Sequence, residues 1–177
     1  MSSASLKYLS GYPAHLVAQV RELLDSRQLG PLLRRKYPAP HTVRNDAALY
    51  EYVSELKARH LRNAAPLSKI AWDGKLQSIQ KALGTHTTVA RIQGGKIKAK
   101  REIRIATLFR EAPPEFLRMI VVHELAHLRE REHDKAFYQL CRHMEPDYHQ
   151  LEFDLRVYLS HLAANGQPLW SPVAVDG

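Results

Sequence analysis

Val121-Val122-His123-Glu124-Leu125-Ala126-His127 is the stretch from which this chain is best read. It spells H-E-x-x-H inside an apolar run. Two histidines four apart lie about 40° apart around a helix, so both imidazoles project from one face. One helical turn suits two nitrogen ligands of a tetrahedral zinc. Glu124 follows the first histidine directly, beside the metal but not a ligand to it. There it is placed to take a proton from water that the metal activates. A histidine pair on a solvated helix would carry no such meaning. Here Phe116, Leu117, Ile120, Val121, Leu125 and Leu128 make most of the helix circumference apolar, which predicts burial. Three ionisable side chains in a buried helix need partners, and a metal supplies them.

Two histidines do not complete a catalytic zinc site, which takes a third protein ligand. His133 is the leading candidate, in the spacing H-x3-H-x5-H. On an unbroken helix it would point about 120° away from His127. The helix is therefore expected to end near Arg131 or Glu132, with Asp134 capping the next one. A glycine makes this turn in related zinc motifs, whereas Glu130 stands here. His143, Glu145 and His149 are the competing ligands downstream. The metal expected is Zn2+, although the donor set also accepts another divalent ion.

Outward from this helix, the pattern predicts an α+β single domain. Leu16, Val17, Val20, Leu23 and Leu24 repeat at helical spacing, and Gly30-Pro31 is expected to stop or bend that helix. Asn45-Asp46 begins another, with Leu49, Val53 and Leu56 inward. Lys69 to Trp72 is a strand candidate, and Leu76 to Leu83 a helical turn. Residues 86–100 alternate around Gly94-Gly95, the pattern of a β-hairpin. Strand character continues from Arg101 to Phe109, giving a small antiparallel sheet with a candidate peptide-binding edge at that last strand. Ala112-Pro113-Pro114 opens the H-E-x-x-H helix, and two more helices follow, one holding Phe137 and Cys141 and one running from Tyr148 to Leu162. The expected organisation is a helical region at 1–62, a catalytic domain at 63–164 and a disordered tail at 165–177.

The chain has 177 residues, with 26 Lys and Arg against 18 acids and a net charge of +8. Such an excess favours anionic partners without choosing among them. Its one cysteine, Cys141, rules out an internal disulfide and reads as a small buried hydrophobe. Tyr138 and Tyr148 read as packing aromatics. The first thirty residues hold charges and no continuous apolar stretch, so a cytoplasmic location without signal peptide or membrane span is expected.

The strand Ile103 to Phe109, the proline-led helix start, V-V-H-E-L-A-H-L, His133, Phe137 and the M-E-P-D-Y ending at Met144–Tyr148 together resemble the YgjP-like metal-dependent hydrolases. The resemblance is strongest over residues 103–148 and leaves out the helices before Asn63. It implies a zincin-like domain, with metal ligands at His123, His127 and His133 and a catalytic carboxylate at Glu124. It also implies a metallopeptidase, with a UTP pyrophosphatase using the same centre as the alternative. For a nucleotide, Lys96, Lys98 and Lys100 share one strand face and are candidates to meet its phosphates. Lysines on an exposed strand also simply discourage edge pairing, and that role is favoured. A third alternative is a nucleic-acid-associated protein or protease using the basic hairpin and Arg34-Arg35-Lys36. Against a purely structural zinc, four protein ligands would be expected and Glu124 would have no task.

Overall fold

The structure, a computed structural model, describes residues 3–75, 88–93, 96–165 and 167–171, with the backbone alone at 3–5, 88–93, 96–100 and 165. A 3-10 turn at Ser3–Leu9 leads into α1 (Ala14–Asp25), α2 (Leu29–Lys36) and α3 (Asp46–His60). Strands β1 (Lys69–Asp73), β2 (Thr88–Gln93) and β3 (Lys96–Ala106) follow, then α4 (Pro114–Ala126), α5 (Lys135–Met144) and α6 (Tyr148–Asn165).

The sheet is mixed rather than antiparallel, with strand order β1-β3-β2. β2 and β3 form the expected antiparallel pair, with Gln93 opposite Lys96. β1 runs parallel to β3, Ile70 beside Ile103 and Trp72 beside Ile105. A parallel pair cannot be joined by a tight turn, and here the intervening chain places β2 on the far side of β3. β3 joins β1 and β2, pairing with β1 over Glu102–Ala106 and with β2 over Lys96–Arg101, so each half of it has one strand neighbour among the described residues. It also stops at Ala106, because Thr107–Phe109 close into a 3-10 turn that leads to α4. The helical turn expected at 76–83 lies outside the described residues.

Two local corrections concern the first helices. α1 ends before Gly30-Pro31, in a turn where Arg27 takes φ 58°. Gln28 N–H bonds the Leu23 carbonyl at 2.9 Å and Arg27 N–H that of Leu24 at 3.1 Å, a Schellman cap with arginine at the glycine position. Gly30 and Pro31 lie instead in the first turn of α2. A Cβ on Gly30 would meet Leu169 at 3.2 Å and His161 at 3.4 Å, so glycine lets the C-terminal segment close on α2. That segment is docked up to Trp170, whose indole N–H donates to the Tyr37 carbonyl at 2.7 Å. Tyr37 hydroxyl in turn bonds Asp154, and Lys36 pairs with Asp154 at 2.6 Å. Residues 172–177 lie outside the described residues.

One core joins the parts. Leu24, Leu33, Leu49 and Val53 from the first three helices pack in the same cluster as Ile103, Ile105, Phe116 and Leu155. α4 lies at its centre, with Phe116, Leu117 and every residue from Met119 to Ala126 buried. Burying one such aliphatic or aromatic side chain stabilises by roughly 1.5–3 kcal/mol, so the site's helix is anchored along its whole length.

Candidate metal centre

α4 starts at Pro114, where proline's missing N–H costs nothing, and carries His123, Glu124 and His127 to its C-terminal end. The helix stops at Ala126, five residues before the expected stop near Arg131. His127 is already the cap residue, and its early stop gives the chain room to return. Two bonds hold the exit: Glu130 N–H to the Ala126 carbonyl at 2.9 Å, and the Arg101 guanidinium of β3 to the Leu128 carbonyl at 2.7 Å. The backbone then reaches Asp134, which caps α5 as expected by accepting from Phe137 N–H at 3.0 Å. No glycine is needed.

This return places His133 beside the helix pair. His127 Nε2 lies 3.3 Å from His123 Nε2 and 3.0 Å from His133 Nε2. One ligand atom from each of the three lies within 4.8 Å of the others. Phe137 packs against all three rings, with centroids 4.9, 4.6 and 4.9 Å from those of His123, His127 and His133. His123 and His127 are buried at 1% and 5% exposure, while His133 is exposed.

The donor set fits a divalent cation. Bonds of about 2.0–2.1 Å in a tetrahedron put neighbouring nitrogens roughly 3.3 Å apart, and the observed spacings are 3.3 and 3.0 Å. The proton on His127 is also placed correctly. Its Nδ1 sits 3.0 Å from the Glu130 carbonyl, which accepts only, so Nδ1 carries the proton and Nε2 keeps its lone pair. Glu124 is 2% exposed, and burial pushes its carboxyl well above the usual range. A carboxylate held this way takes up a proton more readily.

His143, Glu145 and His149 do not join the group among the described residues. Glu145 pairs with Arg118 at 2.6 Å, His143 packs edge-on against His60, and His149 packs against Tyr138. The side chains of Lys96, Lys98 and Lys100 lie outside the described residues. Along β3 they occupy alternate positions that continue to Glu102 and Arg104, which pair with each other at 3.1 Å. The other set continues to Arg101, Ile103 and Ile105, which turn to α4 and the core. Cys141 is buried, as expected, and burial pushes its thiol up to about 12.

Sequence reasoning passed over Tyr148 as a packing aromatic. It is fully buried, and its hydroxyl lies 2.8 Å from His123 Nδ1. Its place in M-E-P-D-Y was visible, but a hydroxyl's partner 25 residues away is set by the tertiary fold.

Among the described residues no helix is long and apolar enough to cross a membrane. The chain matches the family described as YgjP-like, metallopeptidase domain, over residues 20–158. The match reaches far upstream of residue 103 and takes in the second half of α1 and all of α2 and α3, which the sequence resemblance leaves out. A curated relative from Escherichia coli (strain K12), a UTP pyrophosphatase, is 57% identical over 160 residues, covering 90% of this chain and 96% of the relative. No solved structure matches significantly. With a histidine triad suited to a divalent metal at its centre, the chain belongs to the YgjP-like metallopeptidase-domain family and is a metal-dependent hydrolase.

Proposed function

We infer that this chain hydrolyses a nucleoside triphosphate of the UTP type to the monophosphate and pyrophosphate. The observation that carries this is the 57% identity, across 90% of the chain, to a protein named UTP pyrophosphatase. The net charge of +8 suits a polyanionic substrate. The metallopeptidase preference of the sequence analysis thus becomes the second reading, supported by the family's description.

His123, His127 and His133 would hold the cation through Nε2. A divalent ion bound there, zinc being the leading candidate, supplies Lewis acidity that lowers the pKa of water and offsets phosphate charge. Glu124 takes the proton as the water oxygen bonds the α-phosphorus. The bond from that phosphorus to the bridging oxygen breaks, and pyrophosphate leaves with the electron pair. The proton held on Glu124 is then available to the leaving group. The buried carboxyl's high proton affinity suits both halves of this task. Tyr148 and the Glu130 carbonyl keep two of the rings oriented throughout. Arg129 and Arg131, exposed on the turn between His127 and His133, are the cations we assign to the polyphosphate.

The test is pyrophosphate release from UTP by the purified chain supplied with a divalent metal, beside cleavage of an unfolded protein. Turnover of UTP is expected, and Glu124→Gln should lower kcat by about 10²–10⁴-fold while metal stays bound. Proteolysis without nucleotide turnover would select the peptidase reading.

A further inference from the structure

We propose that Tyr148 is a positioning residue for the metal centre, accepting the Nδ1 proton of His123 and so committing that ring's Nε2 to the cation. The inference rests on the three-histidine metal reading above. Its starting point is that the two buried histidines are fixed differently. His127 faces a carbonyl, which can only accept, so its tautomer follows from geometry. His123 faces a phenol, which either donates or accepts. If the phenol donated to Nδ1, the proton of neutral His123 would sit on Nε2, against the neighbouring ring at 3.3 Å, and that nitrogen could hold no metal.

The geometry supplies the other half of the choice. Tyr148 is fully buried at the first residue of α6, with its hydroxyl 2.8 Å from His123 Nδ1. The Nε2 atoms of His123 and His133 both converge on His127 Nε2, at 3.3 and 3.0 Å. A triad that offers these Nε2 lone pairs to one cation leaves the proton of His123 on Nδ1, where the phenol oxygen accepts it. Tyr148 N–H bonds the Glu145 carbonyl at 3.0 Å, which fixes the start of α6 and with it the phenol. Partners of this kind set ring orientation and raise ligand basicity, and their loss weakens metal binding by about 10–100-fold.

The experiment is zinc affinity by competition with a chromophoric chelator, on the parent chain, Tyr148→Phe and Tyr138→Phe. The phenylalanine at 148 keeps the ring and leaves the buried Nδ1–H without its acceptor. Zinc binding about 10–100-fold weaker is expected for Tyr148→Phe, with a folded circular dichroism spectrum. Tyr138→Phe should bind as the parent does, because Tyr138 serves there by packing on Phe137. A second measurement needs no variant. In zinc-loaded parent chain labelled with 15N-histidine, His123 Nδ1 should carry a slowly exchanging proton close to the Tyr148 ring. A Tyr148→Phe chain that binds zinc as tightly as the parent, or an unprotonated Nδ1 on His123, would overturn the role of Tyr148 alone. A parent that binds no zinc would overturn the metal reading together with it.

Discussion

The two halves of the histidine triad are built in different ways. His123, Glu124 and His127 ride on α4, a helix buried from Met119 to Ala126, and both of their imidazoles have an outer partner for Nδ1. His133 sits on an exposed return turn, positioned by the early stop of α4, the Arg101 bond to Leu128 and the Asp134 cap. A helix core fixes His123, Glu124 and His127 as one rigid unit. The third imidazole arrives by a turn whose geometry depends on a few hydrogen bonds. This division leaves the His133 side of the triad exposed to water, beside a buried wall that carries Glu124.

Phe137 is where the two halves meet, since its ring packs on all three imidazoles. Phe137→Ala should therefore affect both, costing about 3–5 kcal/mol of stability as a large core truncation. A chemical denaturation midpoint measures it, and a change under about 1 kcal/mol would mean the rings have another floor. Asp134→Ala tests the turn alone. Loss of the cap should cost about 1 kcal/mol and weaken metal binding, while the α4 half stays intact. Unchanged metal affinity would show that His133 is fixed by something other than the start of α5.

A smaller effect tests the far end of α4. His41 accepts from Val43 N–H through Nδ1 at 3.0 Å, so Nε2 carries the proton and donates to the Phe109 carbonyl at 2.6 Å. Its backbone N–H reaches the Ala112 carbonyl at 3.0 Å, which pins the approach to the helix. Burial, reinforced by Arg44 and partly offset by the Phe109 bond, lowers its pKa below the ordinary 6.5. With the folded pKa depressed, the unfolded chain binds more protons just below pH 6.5. The stabilisation is thus full above about pH 6.5 and is lost as pH falls through the folded value. Thermal melts from pH 7.5 to 5 should show a shallower loss for His41→Asn than for the parent. Equal slopes would remove His41 from the account.

What could be read from the sequence follows the same division. The α4 half was legible because its signals are local: apolar residues around the whole helix, prolines at its start, two histidines one turn apart. The caps at Asn45 and Asp134 were legible for the same reason, and both side chains accept the bond expected, at 2.8 and 3.0 Å. The direction of β1 was not. Alternation reports which residues share a face, not whether a neighbour runs up or down. The run of three buried residues at Ile70-Ala71-Trp72 was the available sign of a parallel strand covered on both sides. The end of α4 was misplaced because the bonds that hold the return come from Arg101 on β3, far away in sequence. Tyr148 was missed for the same reason. The 57% identical relative, not any local motif, moves nucleotide hydrolysis ahead of proteolysis.

The most direct test of the central claim measures divalent metal per chain and pyrophosphate release from UTP on the same preparations of parent and Glu124→Gln. Both proteins should hold about one metal ion per chain, and only the parent should turn over at full rate. A parent without metal after zinc is supplied, or a Glu124→Gln chain that hydrolyses UTP as fast as the parent, would contradict the account.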